Sequence, residues 1–327
     1  MSKRFDNRKL LLLLSVLAVL LALTVIVKIP KESATLKSRI IDADTSRVNR
    51  IMLYTRDNKS VPVEFSRQSG RWTVKQGDQS ADADAGAVRN MLSEAVNIKP
   101  QSLATKDKAK WEEFELTDSL GTRVRFMGDK DKVLADFMIG KFTYKQVNDP
   151  YGGYGGMGGG GISGTSFVRL YDEKEVYAAE GFLVFAFNGR FNDWRDKTFI
   201  RSDRNSLTTI RFTCPADSSF SLIKEGTAWK AADQPADSAA VANYLNALAN
   251  LDGQDFKDGY KPVSSPDYQL VAEGNNLSGF TVKCYKGEGP DEYILNSSLS
   301  PEVYFVSKKD GIFEKVFKGK EYFSGGK

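Results

Sequence analysis

The chain has 327 residues, of which 41% are hydrophobic and 27% are charged, a composition typical of globular proteins. Because it contains no histidine and only two cysteines, Ser-His-Asp and Cys-His nucleophile pairs, histidine-containing zinc sites and four-cysteine zinc sites are excluded. Residues 1–9 carry four basic side chains against Asp6, which accounts for +3 of the net charge of +4, so the remaining chain carries about +1 and does not resemble a nucleic-acid-binding protein.

The first predicted element is a membrane-spanning helix at residues 10–29. Residues 10–27 contain no charged side chain. As a helix with a rise of about 1.5 Å per residue they span roughly 27 Å, close to the thickness of a bilayer core. A cleaved signal peptide is the alternative, but its apolar region is usually about 7–15 residues long and precedes a small-residue cleavage site that is not clear here. We therefore expect an uncleaved signal anchor, with residues 1–9 as a basic cytoplasmic head.

The orientation of this span does not follow from a count of charges, because four basic residues precede the uncharged run at residues 10–27 and four follow it within residues 1–39. A short, strongly basic head before the first apolar segment is typical of an anchor whose N-terminus stays in the cytoplasm. We therefore expect the bulk of the chain to lie outside the cytoplasm, joined to the span by a polar stalk at residues 30–45.

Two later stretches, 46–178 and 205–316, repeat one order of predicted elements. Each begins with two strands and continues with a tryptophan and an aspartate that would cap an amphipathic helix. These features are residues 48–55, 61–66, Trp72 and Asp84 in the first stretch, and residues 207–214, 220–225, Trp229 and Asp237 in the second. The pattern predicts an α+β fold, in which the N-terminal transmembrane helix is followed by two tandem repeats of an antiparallel-sheet-plus-helix unit.

The match between the two stretches extends beyond these features. Val88 and Leu92 of the first helix correspond to Val241 and Leu245 of the second, and we expect both pairs to face a core. After the helices, residues 123–140 are matched with 281–298, and residues 166–171 with 303–308. Residues 317–327 are interpreted as a C-terminal tail.

An aromatic connector at residues 179–204 joins the two predicted repeats. Its large aromatic residues are Phe182, Phe185, Phe191, Trp194 and Phe199. We expect most of them to pack at the junction. The alternative is an exposed surface for a partner, for which Phe185 and Trp194 are candidate contacts.

A glycine-rich loop occupies residues 151–164. Gly153, Gly155 and Gly158 satisfy the spacing G-x-G-x-x-G, but the dinucleotide-binding motif needs a helix after it, and a strand is predicted here. The loop is therefore interpreted as a hairpin tip. Its larger side chains are further candidate interaction residues: Tyr151, Tyr154 and Met157.

Several short motifs follow one another in the order GRWTV at 70–74, ADFMIGK at 135–141, SFVRLYDEKEVYAAE at 166–180 and WRDKTFI at 194–200. Together they resemble the bacterial domain-of-unknown-function family 4340, over roughly residues 46–316. The resemblance implies a protein anchored in the bacterial inner membrane, with its bulk on the periplasmic side, often encoded beside subunits of gliding-type ABC transporters. It implies no catalytic residues.

These observations lead us to expect a non-catalytic, membrane-anchored accessory or interaction subunit of a cell-envelope assembly such as an ABC-type transporter. Its partners would be the bilayer and envelope proteins such as transporter subunits, and no cofactor or metal is predicted. A module that binds an envelope glycan or peptide is the alternative. A hydrolase using Asp82, Asp84 or Asp237 is the weakest reading, because helix caps explain such aspartates. Cys214 and Cys284 are expected either to pair or to remain buried thiols.

Overall fold

The computed structural model describes residue 17 and residues 36–57, 59–148, 160–275 and 277–324. The described chain is mostly β with few helices and forms large antiparallel sheets. It divides into two compact units, one ending at Phe191 and one beginning at Asn192. The predicted basic head and, apart from residue 17, the predicted span lie outside the described residues. Within the described ranges, no helix is long and apolar enough to cross a bilayer.

Nine strands form the sheet of the first unit: β1 Arg50–Tyr54, β2 Val63–Gln68, β3 Arg71–Gln76, β4 Gln79–Asp82, β5 Pro100–Thr105, β6 Thr122–Met127, β7 Val133–Asn148, β8 Gly160–Leu170 and β9 Val176–Glu180. Neighbouring strands pair antiparallel in the order β4-β3-β2-β1-β6-β7-β8-β9-β5. Alternate side chains of β1, among them Ile51 and Leu53, are fully buried, as expected for a sheet with one face towards a core.

Helices α1 (Ala85–Val96) and α2 (Leu183–Phe187) pack on this sheet and on each other. The predicted cap of α1 is confirmed, because the Asp84 carboxylate accepts hydrogen bonds from the backbone N–H groups of Gly86 (2.7 Å) and Ala87 (3.0 Å). Val88 and Leu92 are buried as predicted. The helix ends at Val96, and Asn97 is its C-cap residue.

Eleven strands belong to the second unit: β10 Thr198–Arg201, β11 Leu207–Thr213, β12 Phe220–Glu225, β13 Ala228–Ala231, β14 Gln234–Pro235, β15 Asn250–Asp252, β16 Asp255–Phe256, β17 Tyr268–Gly274, β18 Leu277–Lys286, β19 Tyr293–Ser297 and β20 Ser300–Ser307. Strands β10 and β15 form a separate pair, and the others form a nine-stranded sheet in the order β14-β13-β12-β11-β17-β18-β19-β20-β16. Its helices are α3 (Ser238–Ala249) and α4 (Ile312–Val316). The predicted cap of α3 is also confirmed, since Asp237 accepts from the N–H of Ala240 at 2.7 Å.

Short 3-10 helices complete the described structure, at Thr45–Arg47, Lys108–Lys110, Asp129–Asp131, Phe191–Asp193 and Lys320–Ser324.

The two nine-stranded sheets have strand orders that correspond position by position. By position in these orders, β6 corresponds to β17, β7 to β18 and β8 to β19. The sequence match of residues 123–140 with 281–298, and of 166–171 with 303–308, is therefore wrong by one strand. Neighbouring antiparallel strands carry similar alternating patterns, so periodicity alone does not distinguish one strand from the next.

Two segments expected to lie outside the folded units pack within them. Ile40 and Ile41, in the predicted stalk, are 3% and 1% exposed, and the Ile40 N–H donates to the Ile98 carbonyl at 3.2 Å. Phe323, in the predicted tail, is fully buried in the core of the second unit. In both cases a few apolar side chains in a polar stretch contribute burial that a composition argument overlooks.

The two cysteines are free thiols. Cys214 directly follows β11, Cys284 lies in β18, and β17 runs between these two strands. Two strand spacings separate the cysteines by about 10 Å, more than the roughly 7 Å that a disulfide tolerates between Cα atoms. Burial raises the pKa of the Cys284 thiol, which keeps it in its unreactive protonated form.

Candidate functional site

A two-stranded hairpin arm extends the sheet of the first unit. Strand β6 pairs with β7 only as far as Ile139, and β9 pairs with β8 only from Thr165 onwards. Beyond these points β7 and β8 continue to pair with each other, as far as Asn148 opposite Gly160. We use the name hairpin arm for residues 142–148 and 160–164.

The root of the hairpin arm is held by hydrogen bonds to the start of α2. The buried Ser166 hydroxyl donates to the Gly181 carbonyl at 2.7 Å and accepts from the Leu183 N–H at 3.0 Å. The Gly181 N–H donates to the Gly164 carbonyl at 2.9 Å. Because a buried hydroxyl with both its donor and an acceptor position used has a defined orientation, α2 is fixed beside the arm.

Gly164 allows an aromatic ring to lie against the arm. A Cβ atom at this position would come within 2.7 Å of ring atoms of Phe182. The ring therefore occupies the space that any other residue at position 164 would fill.

Replacing Gly164 with valine should displace the Phe182 ring and lower the free energy of unfolding of the first unit by about 1–3 kcal/mol, the usual cost of inserting carbon atoms into a packed site. Ser163→Val is the matched control, because Ser163 is exposed and points to the other face of the arm. Urea unfolding of the two variants measures the difference. Equal stability of both variants would show that Phe182 does not pack on the arm.

An exposed aromatic patch covers this side of the arm. Its members are Phe142, Tyr144, Phe182 and Phe185. The rings of Phe142, Phe182 and Phe185 have centroids 5.6–5.9 Å apart, and Phe185 and Tyr144 are 73% and 69% exposed. Exposed aromatic clusters of this kind are typical of contact surfaces, where large rigid side chains supply much of the binding energy.

Positive charge accompanies the aromatic patch. Lys141 and Lys145 lie on the same stretch of β7, and residues 137–148 contain no acidic side chain. Lys145 is exposed, whereas the Lys141 ammonium lies 5.5 Å from the centroid of the Phe114 ring on the other face of the sheet. The arm therefore presents aromatic side chains on one face and a cationic side chain on the other.

The predicted contact residues differ in their exposure to solvent. Phe185 is exposed and belongs to the aromatic patch, whereas Trp194 is only 6% exposed and does not offer a surface. Tyr151, Tyr154 and Met157 lie outside the described residues. Phe142 and Tyr144 were missed by sequence reasoning, although the alternation of aromatic and polar residues just before the glycine-rich loop could have indicated an exposed strand.

A cleft of about 460 Å³ lies at the other end of β7, beside residues 37–42. It is lined by apolar side chains, among them Ile40, Leu134 and Leu170, and by charged ones. Several of these charges already have partners in the fold: Lys37 pairs with Glu173 at 2.7 Å, and Asp136 pairs with Arg123 at 2.7 Å and with Arg125 at 2.9 Å. The cleft has the size of a ligand site, but its paired charges are held by the protein itself.

The carboxylates that could serve in hydrolysis are used structurally or stand apart. Asp84 and Asp237 cap helices, and Asp82 is an exposed residue of β4 opposite Thr73. Within the described ranges, no group of three or more cysteine and carboxylate side chains is arranged to hold a metal ion.

Burial lowers the pKa of the Lys59 ammonium, which donates to the carbonyls of Tyr54 and Gly121 and so holds a loop.

Comparison with known proteins identifies the family. Neither a curated protein nor a solved structure matches the chain. The family described as "Domain of unknown function (DUF4340)" matches residues 72–272, from β3 of the first unit to β17 of the second. This match is shorter than the 46–316 expected from the motifs, but it covers more than half of the chain. The chain therefore belongs to the DUF4340 family.

Proposed function

We propose that this protein is a non-catalytic accessory subunit of a cell-envelope assembly, an ABC-type transporter of the gliding-associated kind, and that the hairpin arm contacts a protein of that assembly. The observation that carries the proposal is the aromatic patch. It combines highly exposed Phe185 and Tyr144 side chains with a root fixed by Ser166. A preorganised aromatic surface loses little conformational freedom when a partner binds.

The proposal places the protein in the bacterial inner membrane, with residues 10–29 as a single span and the two folded units on the periplasmic side. The apolar run at residues 10–27 supports the anchor. The first unit already includes Ile40 and Ile41, so only residues 30–35 remain between the proposed span and the described chain. At no more than about 3.6 Å per residue these six residues reach at most roughly 22 Å, which would keep the first unit close to the bilayer.

We also propose that the two units arose by tandem duplication of one α+β unit. The corresponding strand orders support this, as do the aspartate caps at Asp84 and Asp237 and the buried Leu92 and Leu245 on the helices that follow. The hairpin arm has no counterpart of similar length in β18 and β19, which pair over five positions. The first unit would therefore have acquired the arm as a separate feature.

A module that binds an envelope glycan or peptide is the second candidate, and the cleft beside residues 37–42 is the observation that favours it. The two candidates use opposite ends of β7 and can be tested separately.

Co-purification tests the accessory function. The full chain, solubilised with its native membranes, should retain the subunits of the proposed ABC-type transporter. The double variant Phe185→Ser, Tyr144→Ser should retain at least about 90% less of these subunits, because exposed aromatic residues act as hot spots of binding. Ile223→Ser is the matched control, because Ile223 is a partly exposed apolar residue of the second unit. Retention of no transporter subunit by the wild-type chain would overturn the accessory function, and equal retention by the double variant would exclude the aromatic patch as the contact.

A further inference from the structure

The outer edge of β7 offers backbone hydrogen-bonding groups along the hairpin arm. On the side away from β8, strand β6 stops opposite Ile139, and within the described chain no other strand pairs with residues 142–148. A strand edge presents a row of N–H and C=O groups that another extended chain can pair with. A strand of seven residues in line with β6 would therefore continue the sheet.

The aromatic patch forms a wall along one face of this edge. Phe142 is paired with Ser166, so it points to the same face as the Ser166 side chain that contacts α2. Tyr144 lies two residues further and points to that face as well. The Phe185 ring stands 5.7 Å from the Phe142 ring and is 73% exposed, so apolar side chains of an added strand would find aromatic surface there.

The opposite face of the same edge is cationic. Lys145 is paired with Ser163, next to Gly164, so its side chain points away from the face of Tyr144 and Phe182. The Lys141 ammonium lies on that opposite face, 5.5 Å from the centroid of the Phe114 ring and 5.9 Å from that of Phe167. An added strand would therefore meet aromatic rings on one side and positive charge on the other.

We propose that the outer edge of β7 binds an extended segment of a partner protein by strand addition, and that this segment is apolar at alternate positions on one face and acidic on the other. Main-chain hydrogen bonds to β7 supply the affinity, and the two faces of the arm select the side chains. This proposal rests on the accessory function above and identifies the chemistry of the contact.

A peptide probe tests the strand addition on the full chain in phosphatidylcholine nanodiscs. The probe is a fluorescent seven-residue peptide of alternating valine and glutamate, and the matched probe has lysine in place of glutamate. At low salt we expect the acidic peptide to bind at least about tenfold more tightly than the basic one, because Lys145 and Lys141 face its charged side. The preference should shrink at high ionic strength.

Variants and a modified peptide separate the contributions. Lys145→Glu should remove the preference for the acidic peptide, and Phe142→Ser should weaken binding of both peptides about tenfold or more. An acidic peptide N-methylated at alternate residues lacks the amide donors of one edge and should not bind. Hydrogen exchange of the amides in residues 142–148 should slow when the unmodified peptide is bound, whereas exchange in residues 63–68, on β2, should not change.

Four outcomes would overturn the proposal: equal binding of the N-methylated peptide, no protection of residues 142–148, no binding above that of empty nanodiscs, or dimers of the full chain that Phe142→Ser dissociates, since the occupant would then be a second copy. None of them would alter the co-purification result. A chain that retains transporter subunits but fails with the peptide refutes strand addition and leaves the accessory function standing.

Discussion

Replacing Arg169 with alanine should lower the free energy of unfolding of the first unit by about 3–5 kcal/mol, the usual cost of breaking a buried charged network. Arg169 is 2% exposed. Its guanidinium donates to the carbonyls of Leu116 (3.1 Å), Leu170 (3.2 Å) and Tyr171 (2.6 Å) and lies 3.7 Å from the centroid of the Trp111 ring. Alanine would leave three carbonyl groups without this donor and would remove the packing on Trp111.

Arg125→Ala is the matched control for this prediction. Arg125 is a more exposed arginine of the same sheet, and its partner Asp136 is also held by Arg123. Its loss should therefore cost no more than about 1 kcal/mol. Urea unfolding monitored by tryptophan fluorescence measures both variants, and a loss for Arg169→Ala that equals the loss for Arg125→Ala would contradict the assigned role.

Leu92→Ala and Leu245→Ala should each cost about 2–5 kcal/mol, because each removes three buried carbon atoms and leaves a cavity. Leu92 on α1 is 8% exposed and Leu245 on α3 is 7% exposed, so the two side chains are buried to a similar degree. Each substitution should lower the stability of its own unit.

Exposed positions of the same helices serve as controls for the two leucines. Arg89→Ala on α1 and Asn243→Ala on α3 should change the stability by less than about 0.5 kcal/mol, because both residues are exposed. Denaturant unfolding followed by circular dichroism compares each leucine variant with its control. A cost below about 1 kcal/mol at one leucine, with a normal cost at the other, would show that the two helices do not pack in equivalent ways.

In both units an arginine helps to fix the loop before the strand that occupies the fifth position in the sheet order. This strand is β6 in the first unit and β17 in the second. In the first unit Arg169 donates to Leu116, in the loop between β5 and β6. In the second unit Arg195 lies 3.6 Å from the centroid of the Phe256 ring and donates to both carboxylate oxygens of Asp258, in the loop between β16 and β17. The two arginines come from different places in the chain, so a repeat search cannot relate them.

Local features were predictable because a few neighbouring residues determine them. The aspartates that cap α1 and α3 and the strand at 220–225 follow from side-chain chemistry and periodicity within one turn or one strand. The identity of the family also followed from short motifs in order. These signals do not depend on which distant segment lies nearby.

The positions of strands in the sheets and the exposure of the contact residues were decided only by tertiary structure. Residues 123–140 were matched one strand out of place, and Trp194, a candidate contact in the alternative that gave the aromatic connector an exposed surface, is buried. Phe142 and Tyr144 are candidate contact residues because β7 extends past the end of β6. The sequence by itself determines the caps, the alternation and the order of the elements, because these depend on residues close in the chain. Strand pairing and burial depend on contacts between distant residues, which the three-dimensional packing alone establishes.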